Sequence, residues 1–156
     1  MKTEKNKYLD IGNICKAYGE EICDVLPGYH SVTGCDTTSY PYEVRKVKAL
    51  RKMTTQGKSN LLASLGKQRL SKQDAEKTLS FIQTITYPWK QDEDFVETRL
   101  RMYEQQKNKS SLTLLPDKHS TEKHVKLSNL QAYIWKQCVL KDINYPNPKE
   151  CHVDGK

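Results

Sequence analysis

Apolar residues recur along the chain at steps of three and four, the spacing of one helical face, and no stretch alternates apolar and polar residues as a half-buried strand would. The first such segment is IGNICKAYG, residues 11–19, with Asp10 as its cap and Gly19 as its end. A second runs from Glu20 to Thr33, with Ile22, Val25, Leu26, Tyr29 and Val32 as its stripe. Pro27 falls inside it. Proline supplies no N–H and its ring crowds the carbonyl four residues back, so the expectation is a kink or a split, with Gly34 ending the segment. DTTSYP, residues 36–41, has turn chemistry, because Asp, Thr and Ser side chains bond to nearby backbone groups.

YEVRKVKALRKM, residues 42–53, predicts a third helix, with Val44, Val47 and Leu50 inward and Arg45, Lys46, Lys48, Arg51 and Lys52 over the rest. NLLASLG, residues 60–66, predicts a short helix stopped by Gly66. Ser71 and Asp74 form a capping-box pattern for a helix with Ala75, Leu79, Ile82 and Ile85 on its face, ended by Pro88. Phe95, Val96, Leu100 and Tyr103 mark another. The acidic run before it, Asp92, Glu93 and Asp94, complements the positive end of the helix dipole. QQKNKSS is a polar connector. Asp117 is the expected cap of a last helix over residues 118–140, with Val125, Leu130, Ala132, Ile134, Trp135 and Cys138 on a wide apolar face. Two prolines in INYPNPKECHVDGK predict an irregular tail. The fold class is mainly α, divided into residues 1–56, 57–110 and 111–156.

Composition adds a constraint. Only 36% of the 156 residues are hydrophobic and the mean hydropathy is −0.81, polar for a chain that must close one core. Part is expected to be solvated linker, or a face that a protein partner covers. The net charge of +7, from 26 Lys and Arg against 19 Asp and Glu, favours phosphate-rich partners or an anionic surface and says nothing about fold. Cys15, Cys23, Cys35, Cys138 and Cys151 contain no CxxC pair and no zinc-ligand spacing, which points to a reducing compartment. No apolar run approaches the roughly 20 residues that span a bilayer, so no membrane association is expected. MKTEKNKYLDIG lacks the apolar centre of a secretory signal. The expected location is intracellular, nuclear or cytoplasmic.

The chemistry concentrates in VLPGYHSVTGCDTTSYPYEVRKVKALRKM, residues 25–53. Metal-dependent phosphodiesterases gather several carboxylates around two divalent ions about 3.5–4 Å apart, and hard oxygen ligands suit Mg²⁺ or Mn²⁺. Asp36, just past a helix and preceded by Gly34 and Cys35, fits as one such ligand. The bland alternative is a carboxylate serving an Asx-turn or a helix cap. The basic helix that follows would hold a phosphodiester backbone.

Residues 7–53 resemble a segment of the flap-endonuclease superfamily, built on the PIN-like domain. In that family a helix ends in Gly-Cys-Asp or Gly-Ser-Asp and a helix–turn–helix that grips the DNA backbone follows. The stretch is similar still more closely to mobile-element-related animal proteins with a HALTGCDTTS motif, matched here by His30 to Ser39. Their downstream signature is matched by Leu115-Pro116, His124 and LQAYIW, residues 130–135. The resemblance implies a helical segment that follows an α/β core largely absent from this chain, with a helix–turn–helix-like phosphate-binding region. It implies Asp36 as a metal ligand, with Mg²⁺ or Mn²⁺ bound only if the upstream core is supplied. It implies nucleic-acid contact, without base specificity, through Thr37, Thr38, Ser39, Arg45, Lys46, Lys48, Arg51 and Lys52. Most of the family's carboxylates come from upstream of this segment, so the expectation is an incomplete, inactive nuclease relative. The alternatives are a non-catalytic nucleic-acid-binding module and a vestigial or protein-interaction domain. The family's hairpin glycines are replaced by YPYEVRKVKA, and Pro41 has no N–H, so side chains rather than backbone amides would meet the phosphates.

Other residues carry weaker signals. His30 could sit behind the metal or phosphate, or be a partly buried residue donating to a backbone carbonyl. Cys35 is either a small buried residue or a thiol nucleophile. His119 and His124, five apart, diverge on a helix and share no metal face. Tyr133 and Trp135 either stack on bases or pack in the core.

Overall fold

The computed structural model describes residues 11–41, 44–87, 93–105 and 114–142. Among them six α-helices are formed: α1 (Ile11–Tyr18), α2 (Glu20–Val32), α3 (Lys46–Thr55), α4 (Lys72–Thr86), α5 (Phe95–Gln105) and α6 (Lys118–Gln137). No strand occurs among the described residues, so the mainly α class holds. The expected Asp10 cap, the Pro88 stop, the 105–111 connector past Gln105 and the tail beyond Asp142 lie outside the described residues, as do Asp92 and Cys151.

Local chemistry sets most helix ends. Gly19 takes φ 81° and its N–H donates to the Cys15 carbonyl at 2.8 Å, which ends α1 and lets α2 start at the next residue. The Ser71 hydroxyl accepts from the Asp74 N–H at 3.1 Å and opens α4. The Asp117 carboxylate accepts from the Ser120 N–H at 3.0 Å and opens α6. Asp94 does the same for α5, accepting from the Glu97 N–H at 2.8 Å. Each cap satisfies an amide that the first helical turn leaves unpaired.

The longest helix, α6, lies against α2 in the most extensive helix pair; α4 packs on α6, and α3 and α5 pack on α4. The core is built where they meet, from Val25, Tyr29 and Val32 of α2, Met53 of α3, Phe81 and Ile82 of α4, and Val125 and Ala132 of α6. Leu62 and Leu65, between α3 and α4, plug it from one end.

Four expectations change. Of the kink or split expected at Pro27, the split does not occur: α2 is helical from Glu20 to Val32, and burial of Val25, Tyr29 and Val32 on one stripe outweighs the one hydrogen bond that Pro27 cannot make. NLLASLG enters a 3₁₀ turn at Ser59–Leu61 and continues in hydrogen-bonded turns to Gly66, the Leu65 N–H donating to the Leu62 carbonyl at 3.0 Å, with Leu62 and Leu65 buried in the core. α3 begins at Lys46, buries Ala49 and Met53, and leaves Val47 64% exposed. α5 turns Phe95, Thr98 and Met102 inward and leaves Val96, Leu100 and Tyr103 outside. Polar anchors decide that rotation: Arg99 Nε donates to the Leu115 carbonyl at 2.8 Å, and Arg101 grips the Glu93 carboxylate with two 2.7 Å bonds. Glu93 is thus an ion-pair partner, while Asp94 caps the helix.

Gly28 marks the closest approach of α2 to the core plug. A Cβ there would stand 2.7 Å from Leu65 Cβ. Alanine would favour the helix by about 1 kcal/mol, but overpacking costs about 1–3 kcal/mol. Gly28→Ala is therefore expected to lower the urea midpoint, with a net loss of up to about 2 kcal/mol and no change in m-value. A raised midpoint would show that Leu65 gives way and that the approach is not tight.

Candidate functional site

The site grows from the C-terminal end of α2. A helix ends with carbonyls that have no helical partner, and here that end is buried: Ser31, Val32 and Thr33 are 0% exposed. Side chains meet the carbonyls instead. The Ser31 carbonyl accepts the Thr38 hydroxyl at 2.6 Å and the Ser128 hydroxyl at 3.3 Å. The Val32 carbonyl accepts from His124 Nε2 at 2.9 Å. Thr33 turns its own hydroxyl back onto the Tyr29 carbonyl at 2.8 Å. Gly34 then adopts φ 99°, a left-handed conformation in which a Cβ would lie 2.4 Å from the Tyr40 ring, so glycine is required twice over. The chain reverses over α6.

This reversal sorts the candidate residues. Asp36 is exposed. Thr37 is exposed and donates to Gln131 Oε1 of α6 at 2.7 Å. Thr38 is buried and closes the turn, its hydroxyl also accepting from the Cys35 N–H at 3.1 Å. Ser39 faces His124, Oγ to Nδ1 at 3.3 Å. Cys35 is the small buried residue expected; burial pushes its thiol up, and the hydrogen bonds of Thr37 and Thr38 more than offset this, leaving it below its ordinary value.

Lys46 stands beside this turn. Its ammonium donates to His30 Nδ1 at 2.6 Å and lies 5.6 Å from the centre of the Tyr40 ring. Desolvation lowers the Lys46 pKa, and Cys35 and Asp36 pull against it, so Asp36 is within electrostatic range of Lys46. His30 is exposed rather than partly buried, and it accepts from Lys46 rather than donating to a carbonyl. Its ring tilts over Trp135, centroids 5.2 Å apart. Desolvation and then the Lys46 charge lower its pKa, opposed by Asp36. Trp135 is half-buried under that ring instead of closing the core. His119 is exposed at the start of α6 while His124 turns inward, as a five-residue spacing requires.

The other basic residues divide. Arg45 is exposed just before α3, and Lys48 and Arg51 are exposed along it. Lys52 folds back and donates to the Thr84 carbonyl of α4 at 2.8 Å, which commits it to the fold. Among the described residues no three His, Cys, Asp or Glu side chains converge on a metal site, and the Lys46 cation is in electrostatic range of Asp36. These residues do not by themselves fit a two-ion Mg²⁺ or Mn²⁺ centre.

Below the turn lies a cleft of ≈ 430 Å³ bounded by the turn, α4, residues 114–116 and α6. Sequence reasoning did not find it, because its walls come from four separate stretches. The pairing of Ser39 with His124 spans 85 residues. No protein-family model, curated protein or solved structure matches the chain.

Burial lowers the His124 pKa below its ordinary 6.5, with the bond to the Val32 carbonyl opposing. The folded state thus holds the neutral ring, and as pH falls the unfolded chain takes up the proton first. The stabilisation is present above the unfolded pKa and is lost as pH drops through the folded one. Unfolding free energy is expected to decline as pH falls through the ordinary histidine range and below it, with His30 contributing little because it is exposed. His124→Gln, which keeps a donor for Val32, should flatten that decline in urea titrations. An unchanged slope would remove His124 as the source.

Proposed function

We propose that this chain is a phosphate-backbone-binding helical module of a flap-endonuclease-like, PIN-like protein related to mobile elements, and that binding rather than cleavage is its own activity. The observation that carries the reading is one arrangement: exposed Asp36 beside Lys46 at the start of α3, with Arg45 exposed just before that helix and Lys48 and Arg51 exposed along it. α2, the turn at residues 33–41 and α3 serve as the helix–turn–helix-like grip. Cations on one short helix match the charge spacing of a polyanion without reading base edges, so affinity falls steeply with salt and little with sequence. Lys46 and Thr37 flank the contact. Thr38 and Lys52 support the fold instead, and Ser39 faces His124.

One carboxylate cannot hold two divalent ions. In this reading Asp36 supplies a single oxygen ligand, and Mg²⁺ or Mn²⁺ joins only where further carboxylates reach it. Without them Asp36 is a like charge facing the strand and weakens binding. No step of hydrolysis is assigned to this chain.

Fluorescence anisotropy with labelled duplex and single-stranded DNA tests this. The triple change Arg45→Ala, Lys48→Ala and Arg51→Ala is expected to weaken all duplex sequences alike. It should also reduce the slope of log K against log salt by about 0.9 per lost contact. Asp36→Asn in chelator should tighten binding severalfold, because it removes the like charge. Undetectable binding at low salt, or a salt slope that ignores the triple change, would dismiss the proposal.

A further inference from the structure

The cleft beneath the turn has chemistry unlike that of the basic helix. Pro41, Ile82, Leu115 and Pro116 give it apolar walls, and Ser39 and His124 stand together at its edge. None of the described residues lining it carries a formal charge at neutral pH, since the His124 ring is held neutral by burial. At ≈ 430 Å³ it falls within the range of about 300–1,000 Å³ typical of small-molecule sites.

The hydrogen-bonding roles at its edge are settled by the backbone. His124 Nε2 faces the Val32 carbonyl at 2.9 Å and must donate to it. Nδ1 is then the acceptor, and the Ser39 hydroxyl donates to it across 3.3 Å, a long bond for a hydroxyl donor. A nitrogen lone pair with a loosely held hydroxyl beside it matches one chemical group well. An incoming hydroxyl can donate to Nδ1 and accept from Ser39. An anion would find no cation among the described lining residues and would lose its hydration against apolar walls.

We infer that this cleft binds an uncharged, mainly apolar small molecule bearing a single hydroxyl, oriented by His124 and Ser39. The inference is independent of nucleic-acid binding, since it uses none of the cations of α3.

The test uses the full chain at pH 7.5 and displacement of the neutral dye N-phenyl-1-naphthylamine by three ring-matched probes. 2-Naphthol should displace it about fivefold more strongly than naphthalene, the effect of one neutral hydrogen bond. 2-Naphthoate should be weaker than 2-naphthol by at least about tenfold. Ser39→Ala should narrow the advantage of naphthol over naphthalene, and Ser39→Trp should block all three. Ser39 is exposed, so both variants are expected to keep the wild-type circular dichroism spectrum. Absence of dye uptake, a preference for naphthoate, or dye and probe affinities that neither Ser39 variant alters would overturn the inference.

Discussion

The structure hangs on the buried C-terminal end of α2. Carbonyls at a helix end are strong acceptors, and leaving one buried without a partner costs about 1–3 kcal/mol. Ser31 and Val32 are sealed from water, so their carbonyls must be met by protein. Thr38 meets one from the turn, Ser128 shares it from α6, and His124 meets the other. Those bonds fix the register of α6 against α2 across more than 90 residues of sequence. They also fix where the chain reverses at Gly34, and therefore where Asp36, Ser39 and the start of α3 are placed.

The same reversal separates two environments. On the outer side, Asp36 and the exposed cations Arg45, Lys48 and Arg51 stand in water, where charges keep their hydration and act over about 8–10 Å at ordinary salt. On the inner side, the Ser39–His124 pair borders an apolar cleft, where a charge would lose its hydration. Lys46 is the hinge between them: its ammonium is drawn toward His30 and the Tyr40 ring and away from the free outward face. A run of five basic residues that looks uniform along the chain is thus three solvated cations, one half-buried cation beside the turn and one, Lys52, tied to α4.

Rotation of the shorter helices follows polar anchoring as much as apolar area. α5 carries enough apolar residues for two different faces. Arg99 reaching the Leu115 carbonyl and Arg101 gripping Glu93 select the face with Phe95 and Thr98, at the cost of exposing Val96, Leu100 and Tyr103. In α3 the choice goes to Ala49 and Met53, which join the core, over Val47, which stays in solvent.

The sequence by itself determined the helical class, the starts of α4, α5 and α6, and the stops at Gly19 and Gly34. Those signals are local: a capping oxygen three residues from its amide, or a glycine where φ turns positive. It also placed Asp36 at a turn beside a basic segment. The tertiary structure alone decided which face of α3 and α5 went inward, that Pro27 would stay within one helix, and that NLLASLG would bend rather than coil. It alone turned Lys52 and Ser39 away from the outer face and brought Ser39 to His124. Each of these depends on partners far along the chain, and no period of three or four residues encodes which distant carbonyl a side chain will satisfy.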